Sequence, residues 1–314
     1  MNVTAGTEYT LSIEYDNDHT FTFSATDGQQ TESKDVVGPT KEADTDADHY
    51  LGLETNIIGG GTVGGGFIHA TFDDVMVNGS LYDDFSTRLD AGKWPEGEIV
   101  REIRDNKLQM NVDNFGGQPT VTNQIYLADQ YVTNYFQADV TVSSQSTYVN
   151  DTYGEAAVYG CFYNTKYDGT GYNGNDGEFW AGTTVSQNAS GQLQVQAWAG
   201  QYNNSQSNSW TSLYSHDFPC QVQADKPITL SVEKRESDAT MIFHCNDSEL
   251  QYQLTGNLYA PRYNLRKLRT RVKSPSVIPG YINATIDNVY TEKPVKKSPW
   301  NLFLPAILTT GAKK

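Results

Sequence analysis

Apolar and polar side chains alternate in short runs along most of the chain, which is the spacing of β-strands that bury one face. Residues 135–143 show the alternation well, because Phe136, Ala138, Val140 and Val142 are separated by polar partners. Turn-forming residues separate such runs about every ten positions, and no convincing amphipathic helix interrupts them. At one such turn, Asp105-Asn106, residues 99–104 are predicted to pair with residues 107–113. The pattern predicts an all-β fold of about a dozen antiparallel strands, enough for a two-sheet sandwich.

Four segments of the chain occur twice in the same order, which indicates an internal repeat. They form a two-strand hairpin, a middle strand and a closing strand. The matched sequences are Thr10-Leu-Ser12 with Thr229-Leu-Ser231, Leu53-Glu-Thr-Asn-Ile57 with Leu268-Arg-Thr-Arg-Val272, and Ala70-Thr-Phe-Asp-Asp-Val75 with Ala284-Thr-Ile-Asp-Asn-Val289. The closing strands are predicted to cover residues 67–78 and 281–291. Residues 81–225 precede the second copy and have no counterpart ahead of the first.

The repeat predicts three parts of the chain. Residues 1–80 are the C-terminal remnant of a first domain, residues 81–292 are a complete domain, and residues 293–314 are a Pro/Lys linker with a short apolar tail. A remnant of three or four strands exposes sheet edges and half a core unless another surface covers it. We therefore expect a fragment of a longer tandem protein with upstream copies of the same domain. The alternative is a remnant that packs against the complete domain or a second molecule.

The start and end of the complete domain carry a family resemblance. Asp83-Asp84-Phe85-Ser86 is followed by Leu89-Asp90 and Lys93-Trp94, and the domain closes with Ile286-Asp-Asn-Val-Tyr290. This combination resembles bacterial, laminin G-like domains of the concanavalin A-like lectin and glucanase superfamily. The resemblance covers residues 81–291 fully and residues 1–80 as a remnant. It implies a jelly-roll β-sandwich, and its motifs mark the fold better than an activity.

Net charge and composition limit the classes of partner that the chain is expected to bind. A formal net charge of −16 and a pI near 4.6 disfavour nucleic acid and anionic membrane surfaces. The residues after Met1 lack the basic and apolar regions that would predict a signal peptide, and the apolar stretch 300–308 is far shorter than the roughly 20 residues of a membrane-spanning helix. Few charged residues beside many Asn, Gln, Ser, Thr and Tyr are typical of secreted bacterial β proteins. We therefore expect an extracellular or cell-surface bacterial protein without a membrane span.

Three cysteines allow at most one disulfide. Cys220 lies before a predicted hairpin and Cys245 at its far end, so these two are the favoured pair in an oxidising compartment, with Cys161 left over. The alternative is three small buried thiols. The spacing of Cys and His does not suit zinc.

Catalytic residues are not evident. The resemblance implies that β-glucan-cleaving relatives carry three acidic residues at alternate positions of one strand, and this chain has no such strand. The nearest pairs, Glu98 with Glu102 and Asp176 with Glu178, are better interpreted as solvated or turn carboxylates. We predict no catalytic residue; the alternative is a divergent glycoside hydrolase or polysaccharide lyase that uses Glu155, Glu178 or a neighbouring Tyr.

A loop over residues 164–176 is the predicted ligand-binding rim. Aromatic rings stack on sugar faces and short polar side chains bind hydroxyls, and the loop supplies both kinds of group. Gly-Asn-Asp clusters are also ordinary turn formers, so a plain turn is the alternative. The candidate binding residues are Tyr167, Asp168, Tyr172, Asn173, Asp176 and Trp180.

Asp287 and Asp73 are the candidate metal ligands, one in each closing strand. In the resembling glucanases a structural calcium is held by an Asp of the closing strand together with backbone carbonyls near the domain start, and Asp287 occupies the matching place. Calcium accepts six to eight oxygens, so carbonyls and water can complete such a site. The alternative is an Asp that accepts hydrogen bonds from turn amides near residues 83–86.

Together these features predict a non-catalytic extracellular module that binds a polysaccharide or cell-surface glycan, or that acts as an adhesive or structural unit of a cell-surface protein. A pure spacer in a tandem surface protein is the third interpretation.

Overall fold

The computed structural model describes residues 3–16, 19–38, 53–54, 70–86, 89–90, 92–94, 97–127, 133–167, 174–204 and 209–294. These residues form β-strands and connecting turns, with a single 3-10 turn at Glu236–Asp238 as the helical element of the described part. The chain divides into two compact units, Met1–Asp84 and Phe85–Lys314. In the described residues there is no helix with the length and apolar character needed to cross a membrane.

Among the described residues, five strands belong to the N-terminal unit: β1 (Thr10–Tyr15), β2 (Thr20–Thr26), β3 (Thr31–Val37), β4 (Val75–Val77) and β5 (Ser80–Asp83). Fifteen described strands belong to the C-terminal unit: β6 (Glu98–Arg104), β7 (Lys107–Asn114), β8 (Thr120–Tyr126), β9 (Tyr135–Val142), β10 (Thr147–Tyr148), β11 (Tyr153–Asn164), β12 (Glu178–Gln187), β13 (Leu193–Asn204), β14 (Ser209–Asp217), β15 (Ile228–Arg235), β16 (Thr240–Cys245), β17 (Ser248–Gln253), β18 (Arg266–Lys273), β19 (Gly280–Ile282) and β20 (Ala284–Tyr290).

The C-terminal unit is a sandwich of two antiparallel sheets. One sheet has nine strands. Eight of them follow the order β10-β19-β7-β20-β9-β15-β16-β17, and the ninth, β6, pairs with β7. The other has six strands in the order β14-β13-β12-β11-β18-β8. The prediction of an all-β, two-sheet antiparallel fold is therefore confirmed.

Alternation along the strands explains the core between the sheets. On β9 the side chains of Phe136, Ala138 and Val140 are fully buried, and on β11 Ala156 and Val158 are fully buried as well. The polar residues Gln137 and Asp139 of β9 lie on the other face of their sheet, whereas Ala157 of β11 is apolar and is buried in a second, smaller cluster on the other face of its sheet. Because the side-chain period of a strand is two, this register also decides which residues each sheet leaves on its outer side.

The connection between β6 and β7 shows how turn chemistry fixes a hairpin. Asp105 and Asn106 both adopt positive φ, 52° and 60°, at the predicted turn. Two consecutive left-handed residues form the tight turn whose twist matches a hairpin, and Asp and Asn tolerate this conformation better than most residues. The predicted pairing of these two strands is confirmed.

The N-terminal unit contains a three-stranded antiparallel meander, β1-β2-β3, and a separate hairpin of β4 and β5. The meander has the same register as β15 and β16 at the positions that the sequence repeat aligns. The matched cross-strand pairs are Leu11–Ala25 with Leu230–Cys245, and Ile13–Phe23 with Val232–Phe243. Whether this unit is the remnant of a larger domain stays a prediction.

The prediction of one continuous strand over residues 67–78 is wrong for the described residues. Residues 70–74 are exposed and outside any strand, and only Val75–Val77 is extended and paired. The matching segment of the second copy, β20, lies between β7 and β9, which satisfy its backbone groups. No strand of the described residues pairs with 70–74, and without a neighbour an isolated strand is not stable.

The two closing segments nevertheless share a local geometry. Asp74 and Asn288 have φ of 47° and 48°. Each donates its backbone N–H to the carboxylate of the residue before it, Asp73 at 2.9 Å and Asp287 at 2.8 Å. The short polar side chains that the repeat places here therefore adopt the same turn in both copies.

Cys220 and Cys245 form the predicted disulfide, with their Cα atoms 6.6 Å apart. Cys161 is a free thiol and is buried. The disulfide joins the segment before β15 to the end of β16.

Reducing the Cys220–Cys245 bond should lower the free energy of unfolding by about 3 kcal/mol, because the bond restricts the unfolded chain. Chemical denaturation of the oxidised and reduced protein would measure the change. The doubly substituted chain Cys220→Ala/Cys245→Ala should show a similar loss and no further effect of reductant. An equal denaturation midpoint in both redox states would contradict the prediction.

Candidate ligand-binding face

The strand β18 places cationic side chains on the outer side of the six-stranded sheet. Its inward residues, Leu268, Thr270 and Val272, are buried against the other sheet. The alternate positions carry Lys267, Arg269, Arg271 and Lys273. We call the side of this sheet that carries these four residues the outer face.

One carboxylate lies among the cations. Glu155 on β11 is directly opposite Arg271 on β18, and the Arg271 guanidinium donates to its carboxylate. The same carboxylate lies 3.5 Å from Arg269 Nη2 and 3.5 Å from Lys273 Nζ. Three cations therefore share one anion, and this part of the outer face keeps an excess of positive charge.

The environment keeps Glu155 ionised. Burial raises its pKa, but the charges of Arg271, Arg269 and Lys273 and the hydrogen bond from Arg271 outweigh burial, and the pKa is lowered overall. A carboxyl group that stays ionised at neutral pH is not a proton donor. Glu155 thus orders the cations of β18 and does not act as an acid.

Five aromatic residues continue the outer face across β11, β12, β13 and β14. The ring centroids of Tyr159 lie 5.8 Å from both Trp180 and Trp198. Those of Trp210 lie 6.2 Å from Trp198 and 5.1 Å from Tyr202. Trp210 is 41% exposed, whereas Tyr159 is buried. The cluster therefore runs from a buried centre beside β18 to an exposed edge on β14.

Two glycines make room for these rings. A Cβ atom at Gly182 would lie 2.3 Å from Tyr159 Cβ, and one at Gly200 would lie 2.1 Å from the Trp210 ring. Both distances are far below van der Waals contact. Only glycine therefore fits beside Tyr159 on β12 and beside Trp210 on β13.

Cations and aromatic rings are in direct contact on this face. The Arg269 guanidinium lies 4.7 Å from the Tyr159 ring centroid, and Lys267 Nζ lies 5.0 Å from that of Trp180. Tyr159 donates its hydroxyl hydrogen to Gln124 Oε1 at 3.1 Å. These contacts hold the charged groups in fixed positions.

Two groups of the face have shifted pKa values. Burial and the charge of Arg269 lower the pKa of Lys267. Burial raises the pKa of Tyr159, although Arg269 and Arg271 oppose the shift. At neutral pH the phenol is protonated, and the amine loses its proton more readily than a solvated lysine.

Glu178 is a buried carboxyl group at the start of β12. Its Oε2 accepts the indole N–H of Trp180 at 3.2 Å, while Oε1 has no hydrogen-bond partner in the described part of the chain. Burial raises its pKa, and the bond from Trp180 only partly offsets this. Asp176 and Glu178 were predicted to be solvated or turn carboxylates. For Glu178 this prediction is wrong, because its side chain is buried beside Trp180 on the same side of β12.

The residues of the predicted binding rim are divided between two places. Trp180 lies on the outer face. Tyr167 donates its hydroxyl to Asp176 Oδ2 at 3.2 Å, and Lys166 Nζ lies 2.6 Å from Asp176 Oδ1, so these side chains tie the loop to itself. Asp168, Tyr172 and Asn173 lie outside the described residues.

The cations of β18 were not predicted as binding residues, although their spacing in the sequence indicates a charged face. Four basic residues at alternate positions of one predicted strand, with Leu268, Thr270 and Val272 between them, indicate one charged and one buried face. In the first copy of the repeat, Glu54 and Asn56 stand where Arg269 and Arg271 stand in the second. The two copies thus differ at these positions.

The predicted calcium ligands are not joined by further acidic groups. Among the described residues, no three His, Cys, Asp or Glu side chains lie close enough to hold one metal ion. Asp287 is the cross-strand partner of Asp139, whose oxygens accept hydrogen bonds from Thr229 and Asn288. A calcium site at Asp287 or Asp73 would depend on backbone carbonyls and water, and it stays a prediction.

No family model matches the chain, and no curated protein matches it either. Solved structures that resemble it include alginate lyase Aly36B, at 13% identity over 65% of this chain and 91% of that chain with a TM-score of 0.32. A legume lectin-like domain from Entamoeba histolytica matches at 10% identity over 62% of this chain and 87% of that chain, with a TM-score of 0.35. The carbohydrate recognition domain of Emp46p matches at 11% identity over 64% and 92%, with a TM-score of 0.33.

Two facing antiparallel sheets are the fold that the concanavalin A-like resemblance implied. The TM-scores are too low for these structures to carry an inference about this chain, so its function is inferred from the outer face.

Replacing Glu155 with Gln should cost about 3 kcal/mol of unfolding free energy at pH 7, because three largely buried cations lose their shared anion. Since folding lowers the Glu155 pKa below 4.5, the stabilisation is present above that value and is lost as the pH falls through the folded-state pKa. The difference between the two proteins should therefore shrink below about pH 4.5. Denaturation from pH 7 to pH 3 would measure it.

Glu98→Gln is the matched control, because Glu98 is exposed on β6 of the other sheet. It should change stability by less than about 0.5 kcal/mol. A Glu155→Gln loss as small as that of the control, or one that is constant with pH, would contradict the role of this carboxylate.

Proposed function

We propose that the outer face of the six-stranded sheet binds an acidic polysaccharide, and that the chain is an extracellular carbohydrate-binding module. The observation that carries the proposal is the row of Lys267, Arg269, Arg271 and Lys273 beside the aromatic cluster. A uronic acid polymer presents a carboxylate and an apolar ring face on each sugar, and the outer face offers a complement to both.

Local charge supports an anionic ligand over a neutral one. The whole chain carries a net charge of −16, so four cations on one strand are a local exception and would attract an anion to this face. Guanidinium groups bind carboxylates through paired hydrogen bonds. The side chains of Arg271 and Lys273 are 22% and 31% exposed, which leaves donors accessible to a ligand.

Aromatic side chains support a sugar over a simple anion. Trp198 and Tyr202 are half-buried and Trp210 is exposed. Indole and phenol rings stack on the apolar faces of pyranose rings, so an extended oligosaccharide could contact the aromatic edge and the cations together. The contact of Lys267 with Trp180 joins the two regions.

An extracellular location fits the covalent structure. Disulfides persist in oxidising compartments and are rare in the cytosol, and the Cys220–Cys245 bond is of this kind. Polysaccharide ligands of this kind are also found outside the cell, so the proposed location is consistent with the proposed ligand.

Titration calorimetry with uronic acid oligosaccharides should show binding that weakens with added salt, since exposed charges are screened. Neutral glucan oligosaccharides of the same length should bind much more weakly. Lys273→Met removes a cation, and Trp210→Ala removes the exposed ring. Each should weaken binding about tenfold, the effect of one charged hydrogen bond or stacking contact.

Lys107→Met is the matched control, because Lys107 is an exposed lysine on β7 of the other sheet. It should leave the affinity unchanged. Equal affinity for neutral and acidic oligosaccharides, or equal effects of the Lys273 and Lys107 substitutions, would contradict an acidic ligand on this face.

A specific observation favours a second function, β-elimination by a polysaccharide lyase. Lys267 has a lowered pKa and its strand position is opposite that of Tyr159, which is protonated at neutral pH. An amine base could take the proton on the carbon next to a uronate carboxylate whose charge Arg269 offsets. The glycosidic C–O bond at the next carbon would then break, and the departing oxygen would take a proton from the Tyr159 hydroxyl.

Lyase activity should appear as growing ultraviolet absorbance of an unsaturated sugar when the protein is incubated with a polyuronate. Lys267→Met should abolish the absorbance change while Lys107→Met preserves it. If the wild-type protein yields no unsaturated product but binds the polymer, the lyase function is wrong and the binding function stands.

A further inference from the structure

In the meander of the N-terminal unit, β1 and β2 have one apolar and one polar face, and β3 adds Val36, Lys34 and Glu32 to the apolar side. Leu11 and Ile13 on β1 share a face with Phe21 and Phe23 on β2. They are 71%, 64%, 37% and 43% exposed. The opposite face carries Ser12, Glu14, Thr22 and Ser24 together with Ser33 and Asp35.

Strands with such a clean alternation normally bury the apolar side. Four large apolar residues on one side of a three-stranded sheet form a contiguous apolar patch, and a patch of this kind marks an interaction surface more often than a solvated one. Alternation alone, however, does not say what covers the patch.

In the C-terminal unit, the face that corresponds to the apolar face of the meander is covered by another sheet. At the positions that the repeat and the strand register align with Leu11, Ile13, Phe21 and Phe23, β15 and β16 carry Leu230, Val232, Met241 and Phe243. All four are fully buried in the core of the sandwich. They are covered by the six-stranded sheet, chiefly by β11 and β12. The backbone register of these two strand pairs is the same. The third strand differs, because Glu32 and Lys34 of β3 stand where β17 has Ser248 and Leu250.

We propose that the apolar face of the meander β1-β2-β3 is a docking surface for an antiparallel sheet of the same kind as β8 with β11–β14, supplied by the same polypeptide ahead of β1. The order of the chain supports this source, because every strand of the covering sheet except β18 precedes β15 in the C-terminal unit. A sheet fits the surface better than a helix or an extended peptide, because the face is two strands wide and its side chains follow the spacing of a sandwich core.

A fusion protein tests this proposal, because it carries the chain's own covering segment ahead of the meander. Residues 81–227 are fused directly to Tyr9 of the full chain, because Tyr9 aligns with Ile228 and the fusion keeps the native spacing. Hydrogen exchange of the backbone amides in β1, β2 and β3 is then compared between the fused and the original chain. We expect exchange in the meander to slow at least tenfold, and the fluorescence of a dye that binds exposed apolar surface to fall.

Two substitutions in the fused chain separate docking from a general effect of the extension. Ile13→Asp places a charge on the apolar face and should return meander exchange to that of the original chain. Ser33→Asp places the same charge on the polar face, at a position that aligns with Glu249, and should leave the slow exchange intact.

Unchanged exchange in the fused chain, for any reason including failure of the extension to order, would overturn the proposal. Equal effects of Ile13→Asp and Ser33→Asp would do the same. If instead the original chain forms a concentration-dependent dimer in sedimentation experiments and Ile13→Asp abolishes it, the face belongs to a second copy of the chain and the proposed occupant is wrong. Binding of acidic oligosaccharides is independent of all these outcomes.

Discussion

The alternation of β18 is the constraint on which the outer face depends. Leu268, Thr270 and Val272 fill the core, and a strand with a side-chain period of two must then send Lys267, Arg269, Arg271 and Lys273 to the other side. A register slip of one residue would place four charged side chains between the sheets, at a prohibitive desolvation cost. The core therefore fixes the position of the charges, although it makes no contact with a ligand.

Glu155 turns this arrangement of like charges into a stable one. Arg269 and Arg271 are partly withdrawn from water, and neighbouring cations disfavour one another at close range. A single ionised carboxylate offsets that repulsion without cancelling the positive charge of the face. The rings of Tyr159 and Trp180 cover the remaining apolar surface of the cationic side chains, so the face is ordered before any ligand binds. Such preorganisation lowers the entropy lost on binding.

Much of the fold could be predicted from the sequence, because alternation and turn residues are local signals. The hairpin of β6 and β7 followed from Asp105-Asn106, and the Cys220–Cys245 pair followed from its place around a hairpin. The closing strand near Asp73 could not be predicted in the same way. Its second copy is a strand because β7 and β9 lie beside it, and the described residues offer no such neighbours to the first.

The outer face was harder to predict for a different reason. Aromatic residues inside strands are normal core formers, so Tyr159, Trp198 and Trp210 gave no signal of their own, while a loop rich in Gly, Asn and Tyr was the conventional choice. The loop instead uses Tyr167 and Asp176 to hold itself together. Which side of a sheet faces its partner sheet depends on contacts between strands far apart in sequence, and these appear only once the two sheets are assembled.

Hydrogen exchange with and without a saturating uronic acid oligosaccharide tests the central claim most directly. Binding on the outer face predicts slower exchange in β11, β13 and β18, the strands that carry Glu155, Trp198 and the four cations. Slower exchange confined to residues 164–176, or no change in any strand of the six-stranded sheet, would contradict it.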